Sequence, residues 1–424
     1  MKKYLILFFC FSCSLLAKEQ SFEEMLRQVS KSSYEEEKYQ LEQESLSIRR
    51  EHSKGRDFQE GLIANLEYTE HHRHKERNDY IKKGTLQWGP FFVSAYDPGE
   101  KEGEYVGVGI EKNLKDLFYS QYDSQLRQLK WDEKAKFWNY QNHRQKKMIA
   151  FIQLYRDYKN ALYELEIKEQ ERKRLEKEEA KLALSYRLGN AKRVDWQAAN
   201  FGLQNLALEI SALEKQKKAY EERFRREFRI SLEGKSIQEI PLLEVEFQDV
   251  LEEYGRAELE EEKAKLKVQE EALQYSIYEE KIPDVSILYE HSSKNHKRLE
   301  EDMLSLKFRK KLFADHYNSK ILQNEIKEQE LFLAQREEEI KAERELMIAN
   351  YENYQSQYQI AQNRAQLESS KYEIKKLEYD LGKIDYIDVM EAFDKYLDAK
   401  ISLEKSKNRL AAYLYEWKVR KVEK

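Results

Sequence analysis

The sequence runs to 424 residues, 37% of them charged, with 75 basic against 80 acidic side chains and a net charge of −5. Only 13 Gly and 4 Pro occur, far below the roughly 12% that the two make up in an average chain, which leaves little room for a compact α/β enzyme with many tight turns. With 40% hydrophobic residues and 29 Tyr the chain is not disordered, and its mildly acidic balance argues against a nucleic-acid binder.

The N-terminus reads as an export signal. Met1-Lys2-Lys3 is basic, and Tyr4 to Ala17 is an apolar stretch too short to span a bilayer comfortably, so residues 1–17 are expected to be a cleaved signal peptide. Cys10 and Cys13 are the only cysteines and lie inside it. The mature chain is then expected to hold no disulfide and no reactive thiol. Beyond this segment no run of 18 apolar residues occurs, so no membrane-spanning helix is expected.

The rest is a duplication. Residues from Phe22 align with residues from Phe247, sharing Glu35–Lys38 and Glu260–Lys263 as EEEK. Asp116-Leu117-Phe118 aligns with Lys311-Leu312-Phe313, and Tyr186-x-x-Gly189-x5-Asp195 with Tyr379-x-x-Gly382-x5-Asp388. A shrinking offset between these matches places one insertion at 70–103. The first repeat spans 18–231, with a helix at 21–55, a β-hairpin at 61–112 carrying the insertion, and a long helix pair at 113–231. Residues 232–245 are a linker. The second repeat spans 246–424, with a helix at 246–280, a β-hairpin at 284–309 and a long helix pair at 310–419.

A helix of about 72 residues would reach roughly 110 Å, longer than a globular core needs, so the long helices are expected to form antiparallel coiled coils. Leu367, Ile374, Leu377 and Leu381 keep heptad steps, as do Val389, Phe393, Tyr396, Leu403, Leu410, Leu414 and Trp417, with Lys400 and Lys407 in the gaps. Polar positions in such a seam suit a wide assembly with a wet interior.

Four short segments alternate instead. Leu62, Ala64, Leu66 and Tyr68 share one face of 61–69; Val106, Val108 and Ile110 one face of 104–112; Val285, Ile287 and Tyr289 one face of 284–291; Leu304, Leu306 and Phe308 one face of 302–309. One apolar and one polar face at this length suits transmembrane β-strands around a wet lumen, or a small soluble sheet packed on helices. A sheet in lipid must close on itself, and four strands cannot. Two chains would give eight strands with a filled interior, three would give twelve around water. A hollow barrel joined to a helical tube predicts a homotrimer with a 12-stranded barrel. Gly84–Asp97 inside the insertion is a further β-like stretch. It fits either an extracellular hairpin over the mouth or a first barrel strand replacing 61–69.

Taken together, the duplicated plan, the two Tyr-x-x-Gly-x5-Asp turns, the run Val389-Met390-Glu391-Ala392-Phe393 and Ile282-Pro283-Asp284 before a strand resemble the TolC-like outer membrane efflux proteins, over essentially the whole mature chain. The resemblance implies a barrel in the outer membrane, helices forming a periplasmic tunnel, and docking onto a periplasmic adaptor and an inner-membrane pump or secretion machine. It implies a passive conduit and no enzyme. The alternative is an exported periplasmic coiled-coil adaptor or structural protein without a barrel.

Candidate site residues follow. Gly189 and Gly382 each end a long helix, where a left-handed residue serves best. By the resemblance their turns are periplasmic tips, so Leu188, Gly189, Leu381 and Gly382 are candidate adaptor contacts. Asp388 and Glu391, three apart, share one helix face. In a trimer they repeat as a ring of six carboxylates that attracts cations, and the family carries acidic residues there at the tunnel entrance. Tyr379 and Asp195 match positions whose hydrogen bonds hold that entrance shut in other members, although Ile384 stands where some carry a basic residue. His71, His72 and His74 sit in one short segment without a second ligand set, an exposed polar loop rather than a metal site. Gly234-Lys235-Ser236 lacks the first glycine of a phosphate loop, since Arg229 stands there. No cofactor is expected.

Overall fold

The computed structural model describes residues 21–31, 34–55, 58, 61–71, 79–97, 104–189, 192–232, 237–243, 254–294, 299–310 and 317–420. The expected signal peptide (1–17), Leu312-Phe313, Gly234-Lys235-Ser236, His72 and His74 lie outside them.

Helices α1 (Phe22–Lys31) and α2 (Tyr34–Lys54) lead into strands β1 (Leu62–His71), β2 (Asp79–Trp88), β3 (Phe91–Asp97) and β4 (Tyr105–Asn113). A single turn α3 (Lys115–Phe118) precedes α4 (Gln121–Arg187), which is followed by α5 (Arg193–Phe228). The second half gives α6 (Arg256–Lys281), β5 (Asp284–Lys294), β6 (Leu299–Arg309), α7 (Tyr317–Asp380) and α8 (Tyr386–Arg420). Helices and strands thus recur in the order expected from the duplication.

One boundary moves for a local reason. The long helix expected from 113 starts at Gln121, because Ser120 and Asp123 close a reciprocal cap. The Ser120 N–H donates to Asp123 Oδ2 at 3.1 Å, and the Asp123 N–H donates back to Ser120 Oγ at 3.1 Å. The helix expected from 246 is described from Arg256, where Gly255 just before it holds φ +75°; residues 244–253 of the expected span lie outside the described residues.

The larger correction concerns the strands. All four expected strands form, but the sheet has six, antiparallel throughout and ordered β1-β2-β3-β4-β5-β6. The insertion supplies β2 and β3, folded over Gly89-Pro90. Glycine first in a two-residue hairpin turn can take the positive φ, here +59°, that matches the strand twist. The stretch Gly84–Asp97 is therefore parts of two strands, and 61–69 keeps its place beside them.

The chain divides into two compact units, Met1–Glu36 with Gln141–Arg256 and Ile340–Lys424, and Glu37–Tyr140 with Ala257–Glu339. The first unit has the apolar core. Phe22 and Met25 of α1, Phe151, Ile152 and Tyr155 of α4, Phe224 and Phe228 of α5, Ile237 and Ile240 of the following segment, and Ala411 and Tyr415 of α8 are buried together. The Phe22 ring lies 4.9 Å from Tyr155 and 4.7 Å from Tyr415 in edge contacts. Arg229, left-handed at φ 56°, caps α5 and turns the chain into this core. There the Tyr155 hydroxyl donates to the Gln238 carbonyl at 2.6 Å and Lys159 Nζ to the Ile237 carbonyl at 3.0 Å.

In the second unit the sheet and its neighbouring helices are tied by polar contacts. Lys115, almost fully buried, donates to the Glu279 carbonyl and to Asp284 Oδ1, both at 3.1 Å, while the Tyr278 hydroxyl donates to the Lys115 carbonyl at 2.8 Å. Arg336 bridges to Glu258 and Asn139 donates to Glu261.

Candidate functional site

The sheet separates its residues by face. Register pairs Leu62 with Trp88, Trp88 with Phe91, and Phe91 with Ile110, so these four share one face. Ala64, Leu86, Val93 and Val108 form the next row, and Leu66, Gly84, Ala95 and Val106 the one after. On β5 and β6 the same face carries Val285, Ile287 and Tyr289 against Phe308, Leu306 and Leu304. All four apolar sets read from the sequence therefore lie on one face, and the hairpin β2–β3 fills the middle of it.

That face is exposed: Leu66 is 91% accessible and Leu304 75%, and Leu62, Trp88, Phe91, Val93, Val108, Leu306 and Phe308 are exposed as well. The apolar band is not level with the register. Val108 stands opposite the polar His291, whereas Ile287 stands opposite Lys112. The band thus sits lower on β5 and β6, as expected where a flat slab cuts tilted strands. Beyond it, His291 and Asp302 pair at 2.8 Å.

The opposite face carries most of the sheet's polar residues, with Ile63, Phe92, Leu288 and Met303 among them. Ser94 Oγ donates to Glu290 Oε1 at 2.8 Å, Lys307 and Glu111 approach to 3.6 Å, and Glu67 faces Lys83. Six strands with one dry and one wet face meet the requirement for a wall between lipid and water. Among the described residues no helix is long and apolar enough to cross a membrane.

The helix turns form the second candidate site. Gly189 and Gly382 hold φ +74° and +69°, and a Cβ on either would meet nothing within 4 Å. Glycine is required there for backbone angle alone. At the second turn the Lys383 N–H donates to the Glu378 carbonyl and the Gly382 N–H to the Tyr379 carbonyl, which closes α7. Gly382→Val should cost about 1–2 kcal/mol by the left-handed penalty. The expected result is faster protease cleavage at this turn with unchanged circular dichroism. Leu188 and Leu381 beside the glycines are 65% and 70% accessible, a surface consistent with an apolar contact.

Asp195 and Asp388 occupy the same place, the first turns of α5 and α8, where a carboxylate complements the helix dipole. Asp388 and Glu391 line a groove between α7 and α8 with Glu368, Lys371, Lys375 and Lys395. Glu391 accepts from Lys395 Nζ at 2.6 Å, and that ammonium holds its carboxyl below the usual range. Tyr379 lies 5.9 Å from Tyr386, ring to ring; partial burial, then Asp195, push its hydroxyl above its ordinary pKa. Burial, and then the hydrogen bond that it donates to Glu178, push the Tyr386 hydroxyl strongly above its ordinary pKa.

One contact escaped the sequence. Lys192 Nζ reaches both oxygens of Asp385 at 2.9 Å, tying the first turn to the second. The two residues are 193 positions apart, the same offset as the repeat. Arg174 of α4 likewise lies over the Phe393 ring at 3.3 Å and within 3.6 Å of Met390 Sδ.

No protein-family model matches the chain, and no curated protein matches it by sequence. Solved structures do. The CmeC outer membrane channel of Campylobacter jejuni aligns over 94% of this chain and 84% of its own, at 14% identity and a TM-score of 0.73. The outer membrane protein VceC of Vibrio cholerae aligns over 93% and 95%, at 12% identity and 0.66. The MtrE outer membrane channel of Neisseria gonorrhoeae, in its open state, aligns over 93% and 88%, at 11% identity and 0.66. The chain has the fold of these outer-membrane channels, and the resemblance to the TolC-like architecture holds for nearly its whole length.

Proposed function

We propose that this chain is an outer-membrane channel, the passive conduit of a tripartite exporter, and that it works as a homotrimer with its helices in the periplasm. The observation that carries the reading is the exposed apolar sheet face backed by a polar one, in a chain whose fold is that of outer-membrane channels. The polar face would line the aqueous lumen. Lipid would cover the apolar one, and a monomeric periplasmic adaptor has no use for such a surface.

Two further stripes favour self-assembly. On α7, Leu346, Ile360, Leu367 and Ile374, continued by Leu381 just after it, are exposed at multiples of seven residues, and on α5 Val194, Phe201 and Leu208 do the same. Expected seam residues on α8 such as Phe393 and Leu414 are buried within the chain, whereas those on α7 are not. A heptad stripe left exposed by its own chain suits a neighbouring copy.

Opening would occur at the turns. The Lys192–Asp385 pair holds the two turns of one protomer together, and Tyr379, Asp195, Asp388 and Glu391 lie within the same region. Three copies would place six carboxylates around the entrance. Lys395 offsets Glu391, so Asp388 supplies most of the field. An adaptor would meet Leu188, Gly189, Leu381 and Gly382, and an inner-membrane pump would supply the energy.

The test is direct. The protein should extract from membranes only with detergent, have a trimeric mass, and conduct in planar bilayers; a detergent-free monomer would overturn the reading. In a salt gradient, Asp388→Ala with Glu391→Ala should move the reversal potential toward zero, and Lys395→Ala should move it away. No shift in either variant would remove the carboxylate ring from the mechanism.

A further inference from the structure

Resting on that reading, we infer that the hairpin β1–β2 is part of the lipid-facing wall, so that three copies close a barrel of eighteen strands by pairing β1 of each copy with β6 of the next. The wall expected from the sequence had four strands per chain and twelve in all. The structure has six in one uninterrupted sheet.

Three observations place β1 and β2 in the wall rather than over the mouth. Their pairing is full length: ten residue pairs join β1 to β2, and seven join β2 to β3. Strands of ten residues each also match the 11 residues of β5 and β6 and the roughly 9–11 that a tilted strand needs to cross a bilayer. Most telling is the face. Leu62, Leu66, Leu86 and Trp88 continue the dry side of β3–β6 across the register and are exposed on it. A flap standing in water would gain nothing from that band, while Asn65, Glu67, Lys83 and Thr85 continue the wet side.

The edges then fit each other. In a sheet of six alternating strands, β1 and β6 run in opposite directions, so β6 of one copy beside β1 of the next stays antiparallel. On both strands the even-numbered residues face outward, Leu62, Ala64 and Leu66 against Leu304, Leu306 and Phe308. An even-to-even register therefore carries both faces across the junction unbroken, and it leaves no open edge in lipid. With strands 4.7–4.9 Å apart and tilted 35–45°, eighteen enclose a backbone cylinder about 36 Å across, against about 24 Å for twelve. The exit for cargo is half as wide again.

The experiment uses thiol pairs in the full-length protein, whose only cysteines lie in the signal segment. Asn65→Cys with Ser305→Cys marks the β1–β6 junction on the wet face. Ser94→Cys with Ser305→Cys marks the junction a twelve-stranded wall would use, with β3 at the edge. A short bis-maleimide tolerates an offset in register. Covalent dimers and trimers from the first pair only, with eighteen strands resolved by cryo-electron microscopy of the trimer in nanodiscs, are expected. Cross-linking through the second pair, with twelve strands, would overturn the inference and leave the channel reading standing. A detergent-extracted protein that is not trimeric would overturn both.

Discussion

Val108→Arg should keep the protein out of the membrane. Val108 stands mid-strand on β4, faces the dry side, and lies beside Val93 in the row that begins at Ala64. A guanidinium on the lipid face of a barrel strand costs about 2–4 kcal/mol near the midplane, and a trimer repeats that cost three times. The expected outcome is loss of the detergent-extractable trimer and accumulation of material in inclusion bodies or proteolytic fragments. Thr85→Arg is the matched control. It introduces the same group on the wet side, in a row with Asn65 and Ser94, and should leave trimer yield within a factor of two. Equal yields for the two variants would show that the apolar face is not in contact with lipid.

Phe151→Ala should be the most damaging single truncation in the helical unit. Phe151 is fully buried on α4 and meets rings from two other helices: its ring centre lies 6.2 Å from Phe22 of α1, and 5.8 Å from Phe224 and 5.3 Å from Phe228 of α5. Removing a buried phenyl group loses its transfer energy and leaves a cavity that tethered helices cannot close, about 3–5 kcal/mol together. Phe151→Leu keeps most of the volume and should cost less than half as much. Denaturant titration of the detergent-solubilised protein, read by near-ultraviolet circular dichroism, separates the two. A small and equal loss for both would place the stability of this unit elsewhere.

Much of this was legible in the sequence because periodicity survives at long range. Helices of 67 and 64 residues leave a signal that no local propensity can mimic, and glycine after each of them marks a turn whatever the tertiary context. Strands β4, β5 and β6 alternate cleanly enough to assign a face to every residue. β2 does not. Its outward positions include Lys82 and Gly84 as well as Leu86 and Trp88, so its pattern is broken, and only its register between β1 and β3 reveals which side it presents. The two-residue turn at Gly89-Pro90 compounds the difficulty, since a hairpin that tight reads as one longer strand. The Lys192–Asp385 pair had no local signature at all. Opposite charges in two distant turns meet only because the repeats fold back alike, and the burial of Lys115 depends in the same way on a carbonyl and a carboxylate more than 160 residues away.

The unequal repeats bear on how such a sheet can change over evolutionary time. The first half contributes four strands and the second two, and the surplus is one complete hairpin, entering and leaving the sheet on the same side. A unit of that kind can be gained or lost without reversing any other strand or exchanging inside for outside, because up-and-down alternation is preserved. Odd increments are forbidden by the same logic. Calibre in this architecture would then evolve in steps of one hairpin per subunit, through insertion in a single loop, while the helices keep their sequence and their spacing.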